Sequence, residues 1–322
     1  MDVLTIGEAL ACFSPVDGPL TSADLLTKSI GGAEFNTAVG LSRLGNSVAW
    51  CSRLGQDPLG DDIVAHAAVE GVDTSLVVRD AILPTGIMLK DRISAHQSAT
   101  YYYRANSAAS GLSRNDLDDA TVKTARHVHA TGISMWIGAR PRELVFQCFE
   151  VAREAGISVS FDPNFRPQLA SIDEMRASCL EVMPLVTTFL CNESEAEAIT
   201  GLSDPRAAAR AISALGPATV IVKKGANGVS AEINHQEFEQ RAWSVRNPVD
   251  SVGAGDAFNA GWIHAQLHGI DTQLGLALAS FVAANVVAHE SDHGGFPSLL
   301  EVTRWTQHHT ETNATSEWTP RL

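Results

Sequence analysis

The chain has 322 residues, 45% of them hydrophobic and 19% charged, with a formal net charge of -14. That length buries a sizeable core, in one large α/β domain or one domain with an appendage. The acidic balance excludes a broad nucleic-acid or anionic-membrane surface, because both partners need basic patches; one or two local arginines can still hold a small anion.

Val3-Leu-Thr-Ile6 is too short for a signal segment and reads as a first strand. No apolar run approaches the about 18 residues of a membrane span. Cys12, Cys51, Cys148, Cys179 and Cys191 are scattered without C-x-x-C spacing, which fits reduced thiols in a cytoplasmic protein. Further on, β-rich apolar runs at 47–50, 127–130, 157–161, 188–191 and 219–222 alternate with helical stretches at 61–69, 142–154, 193–200 and 207–215. The alternation predicts βαβ units and a mostly parallel sheet with helices on both faces. From 254 the pattern turns helical, over 254–268 and 274–289.

One region breaks this rhythm. Residues 85–90 and 99–104 are adjacent strand-like runs joined by a polar stretch, the pattern of a hairpin. Segments 9–30 and 84–105 are expected to form a small β-sheet lid over a site at the strand ends. The expected organisation is one domain over 1–305 and a polar, frayed tail over 306–322, with solvated histidines. An exposed lid edge leaves pairing of two copies through their lids open.

The segment Asp250-Ser-Val-Gly-Ala-Gly-Asp-Ala-Phe-Asn-Ala-Gly261 carries the chemistry. Gly253, Ala254 and Gly255 lead straight into a helical pattern, where unpaired N–H groups and the helix dipole favour an anion. Asp256 follows at the mouth of the same helix. A carboxylate there either caps the helix or takes a proton from a hydroxyl that attacks phosphorus.

That string resembles the second signature of the ribokinase/PfkB family of carbohydrate kinases. Gly31-Gly-Ala-Glu-Phe-Asn36, with Ala38-Val-Gly-Leu-Ser-Arg-Leu-Gly45 and Arg53-Leu-Gly-Gln-Asp57 after it, resembles the first. The resemblance runs from about Val3 to Leu300 and implies the ribokinase-like fold and ATP-dependent phosphorylation of a sugar. It puts the base on Asp256, the anion hole on Gly253, Ala254 and Gly255, and sugar contacts on Gly32 and Asn36. Asn192-Glu-Ser-Glu195 resembles the family's N-x-x-E element, which implies Asn192 near the phosphates and Glu195 acting on Mg²⁺ through water. Lys223-Lys-Gly-Ala-Asn-Gly228 resembles the nucleotide-side loop, implicating Lys223, Gly225 and Gly228; Asn164 is placed on the same side. No G-x-x-x-x-G-K-[ST] loop occurs, so this is no P-loop kinase.

Three further segments resemble the 2-keto-3-deoxygluconate kinase branch: Tyr101-Tyr-Tyr-Arg-Ala-Asn-Ser, Asp162-Pro-Asn-Phe-Arg-Pro167 and Glu290-Ser-Asp-His-Gly-Gly-Phe-Pro297. They imply a sugar acid held by Tyr102, Arg104, Arg166 and Asp292. A guanidinium matches a carboxylate in a planar, charge-assisted pair, whereas a neutral sugar would leave two buried arginines unpaired. Met88 stands where related lids carry a tyrosine. The resemblance also implies a monovalent cation such as K⁺ near the anion hole, with Asp250 and Ser291 in suitable segments. A neutral-sugar kinase such as a fructokinase, and a non-catalytic sugar- or nucleotide-binding regulator, are the competing readings.

Overall fold

A computed structural model describes residues 1–94, 97–289 and 293–312. Among these residues thirteen strands form two sheets. In chain order they are β1 (Val3–Ile6), β2 (Leu10–Pro15), β3 (Leu26–Gly31), β4 (Val48–Gly55), β5 (Val77–Asp80), β6 (Ile87–Ser94), β7 (Gln97–Tyr103), β8 (His127–Thr131), β9 (Ser158–Asp162), β10 (Thr188–Asn192), β11 (Thr219–Lys223), β12 (Val229–Ile233) and β13 (Gln236–Gln240). The larger sheet has nine strands in the order β13-β12-β11-β10-β9-β8-β1-β4-β5. From β11 to β5 every pairing is parallel, and the β12–β13 hairpin adds an antiparallel edge.

The parallel strands are buried along their length rather than alternating, as sheets covered on both faces require. One core packs Leu4, Ile6, Val128, Phe161 and Phe189 against Phe149 and Leu144 of the helix Ala139–Glu154. On the opposite face, Val3, Val48 and Trp50 meet the helices Ala33–Arg43, Ala254–Leu267 and Thr272–Val287. The chain runs outward from β1 through β4 to β5, then returns to the other side of β1 at β8. That reversal opens a crevice at the carboxyl ends of β1 and β8, the usual ligand position in such sheets.

The second sheet has four strands in the order β3-β2-β6-β7, with β6 and β7 an antiparallel pair as the sequence pattern implies. It grows out of the turn after β1 and leads back into the helix Ala33–Arg43, so it overhangs the crevice. Leu10, Cys12 and Met88 are buried together on one face, with Tyr102 packed against them.

Two features depart from the sequence reading. Of the tail expected to fray, residues 306–312 belong to a helix, Leu299–Thr312, in which His309 is 8% exposed rather than solvated; 313–322 lie outside the described residues. Four residues after Trp305, its ring stacks on the indole at 4.1 Å, and the pair closes over Trp243. The β12–β13 hairpin went unread because its turn is Asn234-His235, both at positive φ (49° and 63°), without the usual glycine. All five cysteines are buried. Among the described residues no helix is long and apolar enough to cross a membrane.

Candidate active site

Strand ends and two helix N-termini meet at the crevice. Asp256 lies in the first turn of the helix Ala254–Leu267 and is 7% exposed. Asn36, in the first turn of its own helix, donates Nδ2–H to Asp256 Oδ2 at 2.8 Å, so the two signatures are joined by a direct bond. Burial pushes the Asp256 carboxyl up to about 7, and the nearby Asp162 charge adds to the rise. The Asn36 bond and the charges of Lys223 and Arg166 pull the other way. The cap reading fails here, because no side chain caps this helix and the N-cap is Gly253 at φ 82°. Its amides remain available, apart from Ala254 N–H, which reaches Ser251 O at a long 3.3 Å.

Lys223, the last residue of β11, turns into this helix mouth. The Cβ position of Gly255 lies 3.5 Å from Lys223 Nζ, which puts the ammonium beside this helix N-terminus. Nζ donates to Asp162 Oδ2 at 2.6 Å and to Asn259 Oδ1 at 3.2 Å, and Asn259 Nδ2 donates to Asp162 Oδ2 at 2.7 Å. Burial alone would lower Lys223, but the Asp162 charge and bond outweigh it and raise the ammonium above its usual range. Asp162 Oδ1 accepts from Asn164 N, which fixes Asn164 in a left-handed turn at φ 45°. Asp162 and Asn259 lay inside quoted motifs without an assigned task. Asn259 follows Asp256 by three residues and so shares its helix face, a spacing that could have found it.

Asn192 and Glu195 form a reciprocal capping box, with Asn192 Oδ1 accepting from Glu195 N and Glu195 Oε2 from Asn192 N. Only half of the box is at the surface: Asn192 is exposed, but Glu195 is 4% exposed and its Oε1 accepts from Phe165 N at 2.8 Å. Burial, with the Asp162 charge, raises its carboxyl. Gly225 and Gly228 hold positive φ in the loop after β11, and a Cβ on Gly228 would lie 2.0 Å from Gln240 O. The visible task of Gly228 is to seat the β12–β13 hairpin, whereas the Cβ position of Gly225 faces open space. Among the described residues no cluster of three His, Cys, Asp or Glu side chains is arranged to hold a metal.

The arginines behave differently from each other. Arg104 is 7% exposed and ion-paired with Glu8, its Nε donating to Glu8 Oε2 at 2.7 Å. The expectation of two unpaired arginines is therefore corrected: Arg104 has a built-in carboxylate. Arg166 is half-buried, donates Nη1–H to Phe165 O at 3.1 Å, and makes no ion pair among the described residues. Its charge reaches Asp256. Tyr102 lies opposite Met88 in the lid, with the Arg104 guanidinium 5.4 Å from its ring centroid. Lys90, also on the lid, places Nζ 3.6 Å from Asp250 Oδ2, while Asp250 Oδ1 accepts from Val252 N. Asp292 and Ser291 lie outside the described residues.

Gly32 is at φ 142°, and a Cβ there would lie 2.2 Å from Glu8 O. Gly32→Ala is expected to destabilise the fold by more than about 1 kcal/mol, since the strained φ and the backbone clash act together. A urea unfolding curve checks this, and an unchanged midpoint would contradict it.

Residues 2–299 match the family described as pfkB family carbohydrate kinase. The chain is 32% identical over 301 residues to 2-dehydro-3-deoxygluconokinase of Bacillus subtilis, covering 92% of this chain and 93% of that one. The 2-dehydro-3-deoxygluconokinase structure from Thermotoga maritima superposes with a TM-score of 0.85 at 27% identity, over 95% of this chain and 99% of that one. A candidate ribokinase II from E. coli, solved with ATP and Mg²⁺, gives 0.88 at 26% identity, over 96% and 99%. With both signatures joined at Asn36 and Asp256 and the match spanning nearly the whole length, the chain belongs to the pfkB family of carbohydrate kinases.

Proposed function

We propose that the chain transfers the γ-phosphoryl group of ATP to the terminal primary hydroxyl of 2-keto-3-deoxygluconate, giving the 6-phosphate. The observation that carries the sugar-acid reading is Arg166, a half-buried guanidinium without a carboxylate partner among the described residues, close enough to act on Asp256. The names of the relatives from B. subtilis and T. maritima support it.

Asp256 takes the proton from the attacking hydroxyl. A carboxyl held near 7 is well matched to that task, because it ionises at neutral pH yet still binds a proton strongly. Asn36 fixes one carboxylate oxygen and leaves Oδ1 for the substrate. The helix amides at Gly255 and Asp256, with the Lys223 ammonium beside them, oppose charge developing on the phosphoryl oxygens. Tyr102 and Arg104 contact the sugar from the lid, which excludes water.

Glu195 and Asn192 would hold Mg²⁺ through water, and the ion would supply charge neutralisation to the polyphosphate. Both Glu195 oxygens and Asn192 Oδ1 already accept backbone N–H groups. Their remaining lone pairs suit contact through water, as Mg²⁺ prefers.

A panel of sugars and sugar acids with ATP tests the assignment. Turnover should be greatest with 2-keto-3-deoxygluconate. Strong turnover of fructose with none of the sugar acid would sink it. Pairing of Arg104 by Glu8 keeps that second reading in play, since a neutral sugar would strand only one guanidinium.

A further inference from the structure

Glu8 follows β1 by two residues, at the point where the chain leaves the large sheet for the lid. It is 1% exposed, a costly place for a carboxylate unless every lone pair is used. The surroundings are built to accept it. Oε2 takes the Nε and Nη2 edge of Arg104, and Oε1 takes the Ser107 hydroxyl. A Cβ on Gly86 would lie 2.8 Å from Oε1, and one on Gly32 would lie 2.2 Å from the Glu8 carbonyl. Glycines on both sides thus make room for the carboxylate and for the main chain that carries it.

The consequence falls on Arg104. Its Nε and Nη2 are spent on Glu8, which leaves Nη1 with no partner among the described residues. The guanidinium is turned by a fixed carboxylate on one edge and by the Tyr102 ring at 5.4 Å. With Nε–H and one Nη2–H turned to Glu8, the Nη1 end of the planar fork is what remains to be offered elsewhere. Its charge is also cancelled within the pair, whereas that of Arg166 is not.

We propose that Glu8 is a specificity-determining positioning residue. It aims the Nη1 edge of Arg104 at the sugar and neutralises it, so that Arg166 alone selects for an anionic substrate. The role assigned to Arg104 rests on the sugar-kinase reading above. The preference between an anion and a neutral polyol is a separate quantity, measurable whichever sugar the enzyme phosphorylates.

The test uses gluconate and glucitol as competitive inhibitors against the sugar in the wild-type chain, Glu8→Gln, Arg104→Gln and the double variant. The readout is the ratio of the glucitol to the gluconate inhibition constant. Glu8→Gln uncovers a positive charge and should raise the ratio about 10-fold; Arg104→Gln uncovers a negative one and should lower it comparably. The double variant is neutral again and should return within about 3-fold of wild type. A purely structural role would shift both inhibition constants together, so unchanged ratios in folded single variants would overturn the proposal. If the single variants fail to fold, the double variant decides: a ratio near wild type supports the proposal, and a collapsed ratio shows that Arg104 carried the charge selection. The ratio is blind to which sugar wins the panel, so failure here and failure of the substrate assignment are separate results.

Discussion

Asp256→Asn is expected to lower kcat by about 10²–10⁴-fold, and at the same time to make the protein more stable above neutral pH. Both effects come from one cause. Burial lifts the folded-state carboxyl to about 7 from its ordinary 3.8. Between those values the folded chain keeps a proton that the unfolded chain releases. The stability this group contributes is full below the unfolded value and is lost as pH rises through the folded one. At pH 8 the ionised, buried carboxylate therefore costs up to about 4 kcal/mol, which asparagine removes while still accepting from Asn36 Nδ2. The melting temperature of the variant should exceed that of wild type at pH 8 and converge with it towards pH 4. For the wild type, kcat/KM should climb with pH through a midpoint of about 7. Near-normal turnover in the folded variant would remove Asp256 from the mechanism. An acid limb near pH 4 would show that its environment is more polar than the structure indicates.

Glu8 had no motif to announce it. In the sequence it is one more acidic residue after an apolar strand, and its value depends on Arg104, 96 positions away. The same distance effect hid Asp162, whose partner Lys223 arrives from β11. By contrast, the parallel core was legible because strands such as Val3–Ile6 and Thr219–Lys223 are apolar runs between helical repeats. The lid hairpin was legible because its runs lie close together with no helix between them. Asn36 and Asp256 could be named from motifs, but their bond could not, since it depends on two helix N-termini meeting across the crevice. The C-terminal helix was misread for a related reason. His308-His309-Thr310 is polar by composition, and only the indole of Trp305 and the ring of Trp243 give His309 somewhere to be buried. Patterns within about ten residues were readable, and those set by long-range partners were not.

Asp162 and Lys223 supply the second large effect, one that separates electrostatic from structural roles. The pair is 4% and 14% exposed at its side chains, and Asn259 completes it. Asp162→Ala leaves the buried ammonium with Asn259 Oδ1 as its hydrogen-bond partner and only the more distant Glu195 and Asp256 charges, and is expected to destabilise the fold by about 3–5 kcal/mol. Replacing both, as Asp162→Asn with Lys223→Met, should recover much of that loss, because neither charge is then stranded. Chemical denaturation of the two single variants and the double variant gives the comparison. The kinetic consequence has a sign for each partner. Asp162 raises the Asp256 carboxyl and Lys223 lowers it. The acid limb of kcat/KM should therefore move below pH 7 in Asp162→Asn and above it in Lys223→Met. Loss of packing alone would weaken activity in both without driving the limb in opposite directions. Limbs that moved together, or not at all, would mean that the Asp162–Lys223 pair holds the strand ends in place but does not set the proton affinity of the base.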